Sequence, residues 1–180
     1  MKKGIILSAA VLLILLSTVS AGAQARLEVN VNWPITIGIN SSNSLFSGAS
    51  VDLSQYHFLL PDFRAYYQFG GDGLLRGGIG IRAYSVIIQS FIFPEAFVEL
   101  NLNPVMLELS LGGYVFGFFG LFNQLSTADL MLPDFNVSFQ LLPWLRLGGG
   151  VLLFAPIGSN WNTDFVYMGY IGVRFVFLPK

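Results

Sequence analysis

The chain is 180 residues long, with 54% hydrophobic residues, 11% charged residues and a formal net charge of −1. Charged residues make up about a quarter of an ordinary soluble domain, so this composition, with its mean hydropathy of +0.66, argues against a free-standing water-exposed globule. Cysteine is absent and there is no basic run, which removes disulfides, thiolate metal sites, cysteine nucleophiles and a phosphate-neutralising surface for nucleic acid.

Met1-Lys2-Lys3 is a basic start, Gly4 to Val19 is mostly Ile, Leu, Val and Ala, and both Ala21-Gly22-Ala23 and Ala23-Gln24-Ala25 fit a small-x-small cleavage site. That is the pattern of a secretory signal peptide, and the apolar stretch is short for a spanning helix. Residues 1–25 are read as an export signal and 26–180 as a single mature domain.

Lipid admits only helices and closed barrels, because every backbone polar group must be paired within the protein. The best helical candidate after residue 25, Val105 to Phe122, is broken by Glu108, Gly112, Gly113, Gly117 and Gly120. A two-residue period fits better. In 27–39, Leu27, Val29, Val31, Trp33, Ile35, Ile37 and Ile39 alternate with Glu28, Asn30 and Asn32. In 61–69, Phe63, Ala65 and Tyr67 oppose Asp62, Arg64 and Gln68; in 75–83, Leu75, Ile79 and Ile81 oppose Arg76, Gly78, Gly80 and Arg82. Ala96, Val98 and Leu100 oppose Glu95 and Glu99, and Leu107, Leu109 and Leu111 oppose Glu108 and Ser110. Phe135, Val137 and Phe139 oppose Asp134 and Asn136; Leu145, Leu147 and Val151 oppose Arg146, Gly148 and Gly150. Last, Ile171, Val173 and Phe175 oppose Tyr170, Gly172 and Arg174. Segments of about nine to eleven residues suit tilted transmembrane strands. Lysine is missing between Lys3 and Lys180, so the polar face does not read as a water-washed surface. The pattern predicts an all-β fold, an eight-stranded antiparallel up-and-down transmembrane β-barrel with its polar face inside.

The connections Gly70 to Gly73, Asn103-Pro104 and Leu142 to Trp144 are short, whereas those near 40–56, 118–129 and 157–164 are longer, with Gln89-Ser90 a short exception. This asymmetry is that of outer-membrane barrels, and an even strand number puts both termini on the short-turn, periplasmic side. Inside, Glu28, Asp62, Glu95, Glu99, Glu108 and Asp134 nearly balance Arg64, Arg76, Arg82, Arg146 and Arg174, which predicts a charge-paired lumen. Pairing Phe69 with Leu75 sets Asp62 opposite Arg82, and pairing Leu102 with Val105 sets Glu99 opposite Glu108. Like charges so placed repel. Either Arg76 and Arg146 bridge them, or the two carboxylates share a proton or hold a cation. Tyr84, Tyr114, Phe116, Phe154 and Tyr170 are expected to make the upper lumen apolar.

Over 26–180 the pattern resembles the small eight-stranded outer-membrane barrels of Gram-negative bacteria, the OmpA, OmpX and OmpW type. That resemblance implies an outer-membrane location, lipid surroundings, periplasmic chaperones and the barrel-assembly machinery during biogenesis, and a monomer. Tyr167, Ile171, Val173, Phe175 and Phe177 keep the spacing of the C-terminal aromatic signal in such proteins, but Leu178-Pro179-Lys180 follow. The leading expectation is a non-enzymatic structural or surface-interaction protein with a side-chain-filled lumen, no catalytic residue, no metal and no cofactor. The OmpW-like alternative is a channel for small apolar compounds. A further alternative rests on similarity to outer-membrane lipid A deacylases and palmitoyl transferases, and would use His57 with Ser54 in lipid modification.

Overall fold

The computed structural model describes residues 24–40, 49–55, 58–71, 73–86, 89–115, 117–120, 128–157 and 164–177. In chain order the strands are β1 (Gln24–Asn40), β2 (Ala49–Asp52), β3 (Leu60–Phe69), β4 (Leu75–Val86), β5 (Gln89–Leu102), β6 (Val105–Val115), β7 (Gly117–Gly120), β8 (Ala128–Leu142), β9 (Leu145–Pro156) and β10 (Phe165–Phe177). The wall runs β1-β3-β4-β5-β6-β8-β9-β10, every pair antiparallel, and β10 returns to β1 from Leu27↔Phe177 to Asn40↔Phe165. The fold is a closed, all-β, eight-stranded up-and-down barrel. Closure leaves no free edge along the wall, and at eight strands the interior is just wide enough for side chains.

The two short strands lengthen the wall at the long-loop end. β2 lies along Thr36–Ile39 of β1, beyond the point where β3 has stopped, and β7 lies along Gln89–Ile92 of β5. Residues 49–52 and 117–120, expected wholly or mostly as loop, are therefore sheet. Gln89 and Ser90, expected as a turn, belong to β5 and pair with Val86 and Ser85. His57, Phe116, the expected signal peptide up to residue 23 and residues 178–180 fall outside the described residues.

The two-residue alternation sorts side chains as the sequence predicts over most of the wall. Leu109 is 60% exposed and its neighbour Ser110 1%. Two bulges break the phase. In β1 the register shifts between Pro34 and Thr36, and the extra residue turns Ile37 inward against Met168 and the apolar core. In β6 the register shifts between Gly113 and Val115, with Tyr114 at a φ of 54°. That bulge sends Tyr114 outward, 60% exposed, and not into the upper lumen as its parity suggests.

The lumen is filled in two zones. From the short-turn end upward come Arg and carboxylate side chains; above them sits an apolar plug of Leu60, Tyr84, Phe93, Leu132, Leu152, Met168 and Tyr170, with Ile37, Phe91, Leu130 and Phe154 packed on it. Bulky rings fit because glycines face them. A Cβ built on Gly78 lies 2.3 Å from the Phe97 ring, its cross-strand partner, and one on Gly112 lies 2.3 Å from Phe93.

A substitution pair checks this packing. Gly78→Ala is expected to cost about 1–3 kcal/mol, the usual penalty for overpacking, in urea refolding titrations. Gly113→Ala, whose added carbon meets no atom nearer than 3.4 Å, is expected to be close to neutral.

Candidate functional site: the lumenal charge network

All of the charged residues that share the polar face point into the lumen. Glu28, Asp62, Arg64, Arg76, Arg82, Glu95, Glu99, Glu108, Asp134, Arg146 and Arg174 are all buried, none more than 8% exposed. One guanidinium was missed by the sequence reading: Arg26, also buried, whose Nη2 donates to Gln24 Oε1 at 3.2 Å. It stands two residues before Glu28 on the same face of β1, so it continues the alternation just ahead of Leu27, where the expected strand begins. With Arg26 every arginine of the chain lies in the lumen, and guanidiniums and lumenal carboxylates become equal in number.

The hairpin β3–β4 carries a register different from the expected one. Phe69 pairs with Gly77, so Asp62 faces Tyr84, and Arg64 faces Arg82. The cause is the turn. Gly70 and Gly71 take positive φ values of 90° and 54°, Gly73 N–H donates to Gly70 O, and Leu74 O accepts from Asn101 N–H on the neighbouring strand. Leu75 and Arg76 thus pair with β5 and not with β3. A displacement of two residues preserves the face of every side chain. Arg82 consequently still reaches Asp62 along the diagonal, with Nη2–Oδ2 at 2.7 Å and Nε–Oδ1 at 2.9 Å.

The turn at Asn103-Pro104 gives the expected pairing, Leu102↔Val105 and Glu99↔Glu108. The two carboxylates are separated in their partners. Glu99 receives Arg76 Nη1 at 3.2 Å and also Arg146. Glu108 receives Arg64 Nη1 at 3.0 Å and Arg174 Nη1 at 2.9 Å. The single knot expected around Arg76 and Arg146 is therefore two knots, because the long guanidinium arms of β3 and β10 arrive first at Glu108. Neither carboxylate is left facing the other without a counter-charge.

Arg64 and Arg82 connect the rest. Arg64 Nε lies 2.8 Å from Glu95 and its Nη1 3.1 Å from Glu28; Arg82 Nη1 lies 3.0 Å from Glu95 and 2.9 Å from Asp134. Neutral donors complete the carboxylates, with Tyr66 donating to Glu28, Tyr170 to Asp134 at 2.8 Å, and Asn30 to Asp62 at 2.8 Å. The Arg64 guanidinium also lies 4.7 Å from the Phe97 ring centroid, and Arg82 4.8 Å from that of Tyr84, which adds cation–π attraction in a desolvated space. The arrangement neutralises charge and braces the wall.

At the long-loop end Asp52 and Ser54 form a local turn, Ser54 N–H donating to Asp52 Oδ1 at 2.8 Å. The Ser54 hydroxyl and amide hold the exposed Asp52 carboxyl below its ordinary range.

No family model and no curated protein matches the chain. Among solved structures, Neisserial surface protein A (NspA) aligns with 86% of this chain and 98% of its own, at 18% identity and a TM-score of 0.48. Ail, the attachment invasion locus protein of Yersinia pestis, solved with the heparin analogue sucrose octasulfate, aligns with 86% of this chain and 99% of its own, at 13% identity and a TM-score of 0.44. Likeness at this level assigns neither family nor activity.

The network predicts an asymmetry. Removing Asp62 leaves Arg82 with Glu95 and Asp134, whereas removing Arg82 leaves Asp62, among the described residues, with the Asn30 and Asn32 amides as its hydrogen-bond donors. Stranding a buried charge costs about 3–5 kcal/mol. Arg82→Met is therefore expected to destabilise the barrel more than Asp62→Asn, and Asp62→Asn is expected to cost little or to restore stability once Arg82 is gone. Additive losses in the double-mutant cycle would contradict the pairing.

Proposed function

We propose that the chain is a non-enzymatic integral outer-membrane barrel with a structural or surface-interaction role. The observation that carries this reading is the closed lumen. Charge pairs fill the lower zone and the apolar plug fills the upper one, so contacts with other molecules fall to the loops and the outer wall. The outer wall supports a membrane setting: Leu27, Tyr67, Ile79, Ile81, Leu109 and Phe177 are all more than half exposed, and such an apolar belt is stable against lipid, not water. On this reading the short-turn end and both chain ends are periplasmic, the residues before the barrel serve export, and assembly uses periplasmic chaperones and the barrel-assembly machinery. Gln24 and Ala25 pair with Gln68 and Tyr67 in the wall, which favours removal of the signal before these two residues over removal after Ala25. The barrel works as a monomer without cofactor or metal.

The second reading is a channel for small apolar compounds. The apolar character of the plug favours it, since Phe91, Phe93, Leu132, Leu152 and Phe154 would offer such a solute no polar barrier. Against it, Tyr84 and Leu152 are fully buried by their neighbours.

Planar-bilayer recordings separate the two. The closed-lumen reading expects no stepwise currents from the refolded chain, and currents that respond to added apolar solutes would favour the channel. The membrane setting has its own check: Leu109→Arg is expected to cost about 2–4 kcal/mol if the site lies near the bilayer midplane, measured by refolding into lipid vesicles. An unchanged stability would contradict a lipid-facing Leu109.

A further inference from the structure

Beside the charge network the lumen keeps a small polar space, walled by Asn30, Asn32, Asn136, Ser138, Tyr170 and Arg174. Its volume of about 10 Å³ is close to the least that admits one water molecule, roughly 10–15 Å³. Whatever enters so small a space touches several of its walls at once.

Two of those walls carry an unmet demand. Asn30 is 2% exposed and Asn136 5%, and the side-chain oxygen of each is buried without a hydrogen-bond partner. The direction of both amides is settled by what their nitrogens hold. Asn30 Nδ2 donates to Asp62 Oδ2 at 2.8 Å, and Asn136 Nδ2 donates to Gly149 O at 3.2 Å and to the Tyr170 hydroxyl oxygen at 3.3 Å. A carboxylate and a peptide carbonyl only accept, so turning either amide over would set oxygen against oxygen. Both orphaned groups are acceptors, and buried acceptors without a donor are costly.

The chemistry of the occupant follows from the other walls. An apolar group would leave both acceptors unmet, and an anion would meet two carbonyl oxygens. A metal cation would sit beside the Arg174 guanidinium with no carboxylate on the wall to offset it, since Arg174 is committed to Glu108 at 2.9 Å. A neutral molecule with two hydrogens to give satisfies every wall.

We propose that this space is a binding site for a single water molecule that donates one hydrogen to Asn30 Oδ1 and the other to Asn136 Oδ1. The Ser138 hydroxyl, on the same wall, supplies a donor for its oxygen. The water joins β1 to β8, strands that do not pair in the sheet, and so adds a neutral cross-lumen tie beside the ionic ones.

Crystals of the whole chain, grown in parallel from sodium chloride and from rubidium chloride, read the site directly. The expected result is one density peak within hydrogen-bonding distance, about 3 Å, of both Oδ1 atoms, with no anomalous signal in the rubidium crystals. An anomalous peak would make this a cation site, and a space without density would leave no ligand; either result overturns the proposal. In micelles, magnetisation transfer from water to the Asn30 side-chain amide is expected in the unaltered chain and is expected to be lost in Asn136→Leu. Transfer that persists in Asn136→Leu also overturns it. Should that variant not refold, the crystals of the unaltered chain still decide.

Discussion

Like charges stand side by side along the inner wall, and the barrel is organised around their neutralisation. Glu99 faces Glu108, Arg64 faces Arg82, and Arg146 faces Arg174 in directly opposed pairs of hydrogen-bonded strands. In a single hairpin each arrangement is repulsive. The counter-charges come from elsewhere in the wall: Glu108 is met by β3 and β10, neither of which pairs with β6, and Glu99 by β9 as well as by its neighbour β4. Attraction therefore requires closure. The strands repel locally and are held globally, so the ionic network rewards the finished barrel over open or partly zipped sheets.

Burial makes this arrangement demanding. Removing ions from water is expensive, and attraction inside repays that expense only where geometry is good and the remaining donors and acceptors are met. The lumen supplies counter-charge by clustering: Arg82 serves Asp62, Glu95 and Asp134, and Arg64 serves Glu28, Glu95 and Glu108. Phenol and amide groups take up further lone pairs on Glu28, Asp134 and Asp62. Networks of this kind favour one register over its alternatives, which matters in a sheet where a slip of two residues would keep every side chain on its own face.

The same narrowness that concentrates charge governs the packing. Large rings enter the lumen only beside glycine, as Phe97 does over Gly78, and the plug of Leu60, Tyr84, Phe93, Leu132, Leu152, Met168 and Tyr170 seals the upper half. A barrel filled in this way leaves its outer wall and its rim as the surfaces open to contact. That is why a surface-interaction role follows more naturally from it than passage through its axis.

The amino-acid sequence by itself determined the sidedness of the wall. A two-residue period assigns each strand residue to the outer face or the lumen from local pattern alone, and Leu109 beside Ser110, or Phe135 beside Asp134, lie where that period puts them. It also determined the tight turn at Asn103-Pro104, because a two-residue connection leaves one register open. What only the tertiary structure decided is whatever depends on residues far apart in the chain. The glycine turn after Phe69 adjusts to the neighbouring strand through Leu74 and Asn101, which displaces β3 against β4. The bulges at Pro34/Thr36 and Gly113/Val115 turn Ile37 inward and Tyr114 outward, because the wall must bend to close. The choice of guanidinium for each carboxylate is likewise tertiary: Arg side chains are long enough to reach several partners, and curvature alone sets which one is nearest.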